Sequence, residues 1–367
     1  MHKAWSFAIV TLSGLYQLVL PTSSNGFDLD AHSQLSRQAV ANSEIDTVLR
    51  GQLGFVRGVR DLVNGRQVDQ WIADIGARRE DSPFTRTRFH FHDPTLTWDQ
   101  AGLRLLGPSF ESSVLWGQDR GQVLGGKHSW HDARASFVQA ATAVTDSARQ
   151  KAYADTFRSL GHLIHLVQDA ASPAHTRNDP HITVLGIGDP DSFHTWTERN
   201  LGRIAGNQRF ASSLLGLPPN PLAPIPIARI IDTERYRQSG VPEALTTIGI
   251  AEYSNANFFS DDRLFSSYPF PSASSVDLGP PEREPKTGQL RRYLIKARDG
   301  ETGYRLAVPS ALFDRLQVAL ADQLGLDDLV LQDYGRLLFP RAIGYSAGHE
   351  IREGEDVHDG GGGRAVP

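Results

Sequence analysis

The chain has 367 residues, a formal net charge of −5 and no cysteine. The lack of cysteine excludes disulfides, thiolate metal sites and cysteine nucleophiles. The mild acidity gives no electrostatic reason to expect binding to duplex nucleic acid. A chain of this length that is 40% hydrophobic can bury a substantial core.

Residues 1–26 predict a secretory signal peptide. A weakly basic start is followed by a broadly apolar run over 4–20, and Ser24 and Gly26 are small residues at positions −3 and −1 before Phe27. A membrane anchor is the alternative, but the apolar run contains polar residues and is short for a span. We therefore expect a secreted or periplasmic protein whose mature chain begins at Phe27.

Apolar residues spaced three and four apart predict a mostly helical chain. The predicted helices cover 31–53, 56–77, 130–144, 152–171, a short stretch from 192, 241–259, 310–324 and 327–345. A β-hairpin is predicted around Asp299-Gly300, inside an insertion of about 266–308, and a disordered tail over 351–367. The predicted fold class is all-α, a multi-helix domain over 27–350 with a small inserted β-hairpin near its C terminus.

The chemistry centres on the segment 157–179, which contains His165, Asp169 and His175 in the order His-x3-Asp-x5-His. His165 and Asp169 stand one turn apart on a helix that is apolar on nearly all sides, which predicts a buried helix. Burying an imidazole and a carboxylate costs several kcal/mol unless both are paired, and a divalent cation satisfies both. Pro173 ends this helix, so His175 approaches from another direction.

Other ligand-type residues follow similar spacings. His194 and Glu198 are again four apart, His90 lies in the sequence HFHDP with Asp81 nine residues earlier, and His32 opens the first helix. These groups suffice for more than one zinc ion. A ligand set without thiolates is typical of hydrolytic rather than structural zinc.

The order of these residues resembles the zinc-dependent phospholipase C superfamily, which includes single-strand-specific nucleases. Its signature is a histidine soon after the mature N terminus, an aspartate before a His-Phe-aromatic-Asp-Pro segment, His-x3-Asp-x5-His, and then His-x3-Glu or His-x3-Asp. The resemblance covers residues 27 to about 260. It implies a mostly helical fold that holds three clustered zinc ions.

Carried over to this sequence, the resemblance implies two zinc sites built from side chains alone. The first ion would be held by His90, His165 and Asp169, with Asp81 as a further ligand or as the catalytic base that orients the attacking water. The second ion would be held by His175, His194 and Glu198.

The third zinc ion would bind His32, an oxygen of Asp169, and the α-amino nitrogen and carbonyl of the mature first residue. The family usually has tryptophan at that position, whereas this chain has Phe27, five residues before His32. Tryptophan and phenylalanine can both ligate zinc through their backbone atoms. Removal of the signal peptide would then supply the free amine.

Some residues have competing interpretations. Asp81 is preferred over Asp74 for the family aspartate because its spacing fits better. We predict that His162 is a core histidine or one that supports a ligand, and that His92 serves packing. Three further histidines are predicted to be solvated: His128, His131 and His181.

The resemblance favours hydrolysis of phosphoester bonds by a metal-activated water. A phospholipid head group, met at a membrane surface, is the preferred substrate because a cysteine-free chain with Glu198 is more similar to the lipases of the family. A single-strand nuclease is the alternative, with Phe84, Phe89 and Phe91 as candidates for stacking on bases. An exported zinc-holding binding protein without turnover is a third possibility. No protein partner is indicated.

Overall fold

The computed structural model describes residues 29–104, 107–180, 191–200, 227–239, 249–261, 268–309 and 324–359. The predicted signal peptide, Phe27 and His181 lie outside these ranges. No helix in the described part combines the length and the apolar character needed to cross a membrane.

Helices make up most of the described structure. The longer ones are α1 (Leu29–Asn42), α2 (Ile45–Gly51), α3 (Trp130–Thr142), α4 (Asp146–Asp169), α5 (Ser192–Arg199), α6 (Ile250–Asn257) and α7 (Asp328–Asp359). Short helical segments cover Val68–Gln70, Trp71–Gly76, Ala77–Arg79, Phe84–Phe89, Ser113–Trp116, Pro173–Thr176, Ile227–Ile231 and Arg235–Ser239. The hydroxyls of Ser129 and Thr145 accept backbone N–H groups at the starts of α3 and α4, which explains why these helices begin there.

The predicted helix over 56–77 is wrong in its first half. Residues Leu62–Val63 (β1) and Arg66–Gln67 (β2) form a small antiparallel hairpin instead. Its turn is Asn64-Gly65, and both residues have positive φ, 47° and 83°. This dipeptide is a strong hairpin signal because the favoured two-residue turn needs left-handed backbone at both positions.

The central helix α4 joins two apolar cores. Leu163 and Ile164 pack with α2 and α3 in one core, while Leu166 and Val167 pack with α1, α5, α6 and α7 in the other. His165 therefore lies where the two cores meet. α4 ends at Asp169, before Pro173 as predicted, and Pro173 opens a new short helical segment that was not predicted.

A close backbone contact fixes α4 against the segment that precedes the predicted aspartate. A Cβ at Gly161 would lie 2.1 Å from the carbonyl oxygen of Ile72, and one at Gly76 would lie 2.5 Å from that of Arg158. Only glycine permits this approach at both positions. The contact brings the carbonyl of Ala77 beside His165, from which it accepts a hydrogen bond.

The all-α prediction is wrong, because the inserted region, together with Leu324–Gly325, builds a four-stranded antiparallel sheet. Its strands are Val276–Leu278 (β3), Leu294–Lys296 (β6), Tyr304–Pro309 (β7) and Leu324–Gly325 (β8), in the order β3-β6-β7-β8. Glu282–Arg283 (β4) and Leu290–Arg291 (β5) form a further two-stranded pair.

The predicted hairpin is β6–β7, but the strands on either side of it were missed. β3 and β8 have three and two residues, too few to show the alternation of apolar and polar residues that predicts a strand. Pairing with β6 and β7 specifies them instead. The inner side chains of β7, among them Tyr304 and Leu306, join the core that contains α7.

Two predicted helices near the C terminus have different extents in the structure. The helix predicted over 310–324 lies outside the described residues except for its last position, which belongs to β8. α7 was predicted over 327–345 but continues to Asp359. Residues 351–359, predicted as part of a disordered tail, continue this helix.

Candidate metal centre

The centre is organised by the C-terminal turn of α4. His165 and Asp169 lie one turn apart and are fully buried, with His165 Nε2 3.0 Å from Asp169 Oδ2. The helical spacing of these two residues therefore produces the expected contact. Both side chains are held inside the protein by the two cores that flank α4.

The loop over 80–90 brings two more ligand-type groups to the same carboxylate. His90 Nδ1 lies 2.8 Å from Asp169 Oδ2 and 3.3 Å from His165 Nε2. Asp81 Oδ1 lies 3.3 Å from His90 Nδ1 and 3.7 Å from His165 Nε2. Asp74 instead accepts hydrogen bonds from Ser33 and Arg37, so the structure places Asp81 and not Asp74 in the cluster.

The other oxygen of Asp169 faces a second pair of histidines. His32 Nε2 from α1 lies 3.3 Å from Oδ1, and His175 Nδ1 lies 3.6 Å from the same oxygen. The His32 ring stacks on His165 with 3.7 Å between centroids. The remaining ligand predicted beside His32, the backbone of Phe27, lies outside the described residues, so that part of the third site stays a prediction.

Acceptors on the far side of the rings fix how the imidazoles point. His165 donates its Nδ1–H to the carbonyl of Ala77 at 2.7 Å, and His32 donates its Nδ1–H to Gln168 Oε1 at 2.8 Å. The carboxylate of Glu80 lies 3.7 Å from His90 Nε2. The opposite nitrogens, which carry the lone pairs, then converge on Asp169 and Asp81. This is the arrangement that supports metal-binding histidines.

The carboxylates in the cluster make no hydrogen bond of standard geometry within the described residues, although imidazole nitrogens lie close to them. This holds for both oxygens of Asp81 and both oxygens of Asp169. Buried carboxylate oxygens without donors are costly unless a cation lies beside them. Two overlapping groups of three have ligand atoms within 4.8 Å of one another: His32, Asp81 and His165, and His90, His165 and Asp169.

The same contacts shift the pKa values of Asp169 and His90. Burial raises the pKa of Asp169, but the imidazoles of His165, His175 and His90 outweigh it and hold that pKa well below the usual value. Burial lowers the pKa of His90, but the charge of Asp169 and its neighbouring carboxylates outweighs this and raises the pKa to about 10. The site therefore strongly favours positive charge near Asp169.

The predicted second zinc set is assembled only in part. His175 reaches Asp169, as described above, while His194 Nε2 and Glu198 Oε1 lie 3.9 Å apart on α5. The Glu198 side chain is 49% exposed, and neither His194 nor Glu198 belongs to the two tight groups of ligand atoms. Phe193 and Trp196 anchor α5 in the core that contains α1 and α7.

A buried ion pair beside the centre was not predicted. The Glu80 carboxylate receives two hydrogen bonds from Arg86 Nη2, at 2.6 and 2.7 Å, and one from Trp116 Nε1 at 3.1 Å. His162 Nδ1 also contacts Glu80, which agrees with a supporting role for His162. The position of Glu80 next to Asp81 was the available signal.

Two further histidines are buried. His128 was predicted to be solvated, which is wrong, since its ring is buried and stacks on His162 with centroids 3.9 Å apart. His92 packs as predicted, and its Nε2 lies 2.9 Å from Asp232 Oδ2, which also accepts from Trp98 Nε1. The partner Asp232 lies 140 positions away in the sequence, so no local pattern could identify it.

Comparisons of the chain with protein-family models, with curated proteins and with solved structures each return no match. A functional assignment must therefore be argued from the residues of the site and their geometry.

Proposed function

We propose that the protein is an exported zinc-dependent phosphodiesterase, with phospholipid head groups as the preferred substrate class. The observation that carries the proposal is the set of distances among four atoms: His90 Nδ1, His165 Nε2, Asp169 Oδ2 and Asp81 Oδ1. The two histidine nitrogens lie 3.3 Å from each other, and their distances to the two carboxylate oxygens lie between 2.8 and 3.7 Å.

These separations fit a tetrahedral cation site. Four ligands at about 2 Å from a zinc ion are separated from one another by roughly 3.3 Å. Two imidazoles and two carboxylates form a ligand set that suits zinc. The carboxylate oxygens of Asp169 and Asp81, which make no hydrogen bond within the described residues, supply the negative charge. His32 and His175, on the other oxygen of Asp169, would contribute to neighbouring ions.

Zinc bound here would supply two things, a water of lowered pKa and positive charge beside the phosphate. The protein's own groups do the rest. The carbonyl of Ala77 holds the ring of His165 in place, and the Glu80 carboxylate lies 3.7 Å from His90 Nε2. Asp81 Oδ2 makes no hydrogen bond to the described protein, which suits a group that accepts a proton from an attacking water.

Two of the three aromatic residues proposed to stack on bases are covered by other rings, which weakens the nuclease alternative. Phe91 is 1% exposed and stacks on His175, and Phe89 stacks on Trp116 with 4.2 Å between centroids. Base stacking needs an open ring face on a cleft wall. Of the three candidates from sequence, Phe84 alone has no ring partner among the described contacts.

One observation favours the alternative of an exported zinc-holding binding protein. His194 and Glu198 lie outside the tight ligand groups, and Glu198 is half exposed. A centre that holds fewer ions than the family requires could bind zinc without turnover.

The deciding experiment uses the mature protein with zinc, assayed separately on phosphatidylcholine vesicles and on single-stranded DNA, with and without chelator. We expect release of phosphorylated head group that the chelator abolishes and zinc restores. Cleavage of DNA alone would assign the nuclease. Bound zinc without hydrolysis of either substrate would assign the binding protein.

A further inference from the structure

Gln168 links the central helix to α1 at two points. Its side chain is fully buried, and its Oε1 accepts the Nδ1–H of His32 at 2.8 Å. Its Nε2 donates to the hydroxyl of Ser36 at 3.0 Å. Ser36 stands one turn after His32 on α1, so a single amide contacts both residues. Gln168 also directly precedes Asp169, the carboxylate that His32 faces.

The orientation of this amide decides which nitrogen of His32 carries the proton. With Oε1 toward the ring, the proton is on Nδ1 and the lone pair of Nε2 points to Asp169 Oδ1, 3.3 Å away. A lone pair facing a carboxylate is unfavourable unless a cation lies between them. If the amide were turned over, it would donate to Nδ1, and Nε2–H would donate to Asp169 instead.

Two other histidines around Asp169, His165 and His90, lack this ambiguity. The partner of His165 Nδ1 is a backbone carbonyl, which only accepts, and the carboxylate of Glu80, which also only accepts, lies 3.7 Å from His90 Nε2. His32 is held by a group that can either donate or accept. Its tautomer therefore depends on Gln168 and on the hydroxyl of Ser36 that receives the amide N–H.

We propose that Gln168 is a positioning residue for the divalent cation bound between His32 and Asp169. It holds His32 as the Nδ1–H tautomer, so that Nε2 is the ligand atom. This inference rests on the proposed function to the extent that a cation binds beside Asp169. It assigns a role to a side chain that contacts neither the cation nor the substrate.

The test measures zinc affinity of the full mature protein by competition with a fluorescent chelator. We expect Gln168→Met, which keeps the size but loses both hydrogen bonds, to weaken the binding of one zinc ion by about 10- to 100-fold. Gln168→Glu should retain wild-type affinity within about threefold, since a carboxylate also accepts from Nδ1–H. Ser36→Ala should cause a smaller loss than Gln168→Met.

A spectroscopic measurement on the wild-type protein completes the test. ¹⁵N-histidine spectra of the zinc-loaded protein, assigned with His32→Asn, should show the His32 proton on Nδ1. A proton on Nε2 would overturn the proposal. So would Gln168→Met with unchanged zinc affinity, and in that case the proposed function would survive. If the wild-type protein binds no divalent cation, both the role of Gln168 and the proposed function are refuted.

Discussion

Asp169 Oδ2 lies 2.8 Å from Nδ1 of His90, which joins the end of the central helix to a loop far away in the sequence. The same carboxylate faces His165 through Oδ2, and His32 and His175 through Oδ1. A single carboxylate thus holds together groups from four separate segments. The account of the centre depends on this carboxylate more than on any other group.

Asp169→Asn should lower hydrolysis by at least about 100-fold, because the amide removes the negative charge that offsets the cations. Zinc content should fall in parallel. The measurement is the rate of hydrolysis of a chromogenic phosphodiester, together with metal analysis. Asp155→Asn, on the same helix but partly exposed and paired with Lys151, is the matched control and should behave as wild type. Activity within tenfold of wild type in Asp169→Asn would refute the role of this carboxylate.

Chelation should destabilise the protein, since the buried carboxylates of Asp81 and Asp169 then keep only the neighbouring imidazoles as a source of positive charge. A ligand present at 100 to 1,000 times its Kd stabilises the fold by about 3 to 4 kcal/mol. We expect thermal unfolding to begin at a clearly lower temperature in chelator, and zinc added in excess to reverse the change. An unfolding temperature independent of zinc would argue against a cation site in this core.

His128 should make stability depend on pH in the acidic range. Burial, together with the nearby charges of His162 and Arg158, lowers the pKa of His128 to about 2. Because the folded-state pKa lies below the unfolded value near 6.5, this contribution to stability is complete above pH 6.5 and is lost as the pH falls. The slope for a single such group is about 1.4 kcal/mol per pH unit.

The test compares the wild-type protein with His128→Gln by urea unfolding at pH 6.5 and pH 5.0. The wild type should lose about 2 kcal/mol more than the variant between these values. His131→Gln is the control, because His131 lies near the surface beside Arg120, and it should change the slope less. Equal losses in wild type and His128→Gln would show that His128 is not buried in its neutral form.

Lys296 should stabilise the inserted sheet. Its side chain is fully buried, and its ammonium donates to the carbonyls of Arg298, Asp299 and Glu301, which follow β6. Lys296→Met leaves these carbonyls without a donor and should cost about 2 to 4 kcal/mol of unfolding free energy. Lys286→Met is the control, since Lys286 is exposed and, in the described part of the chain, forms an ion pair with Asp328; it should change stability by less than about 0.5 kcal/mol. Equal unfolding midpoints for the two variants in urea would contradict the role of Lys296.

The sequence predicted those parts of the structure that depend on local spacing. The one-turn spacing of His165 and Asp169 and the break at Pro173 appear in the structure as expected, because helical geometry alone determines them. The convergence of His32, Asp81, His90 and His175 on that turn followed only from the resemblance to a known order of residues. No local pattern indicates that these segments meet.

Features that depend on tertiary contacts could not be predicted. β3 is a three-residue strand that exists through its pairing with β6. The buried pair of Glu80 and Arg86 consists of two charged residues in a highly charged stretch of sequence, where charge normally indicates exposure. His128 was misassigned for a similar reason, because its ring is covered by His162 from α4.

The most direct test of the central claim is a crystal structure of the mature protein grown with zinc, with anomalous scattering recorded at the zinc absorption edge. We predict an anomalous peak about 2 Å from His90 Nδ1, His165 Nε2 and Asp169 Oδ2, and a further peak beside Asp169 Oδ1. The absence of any peak within bonding distance of Asp169 at saturating zinc would contradict the account.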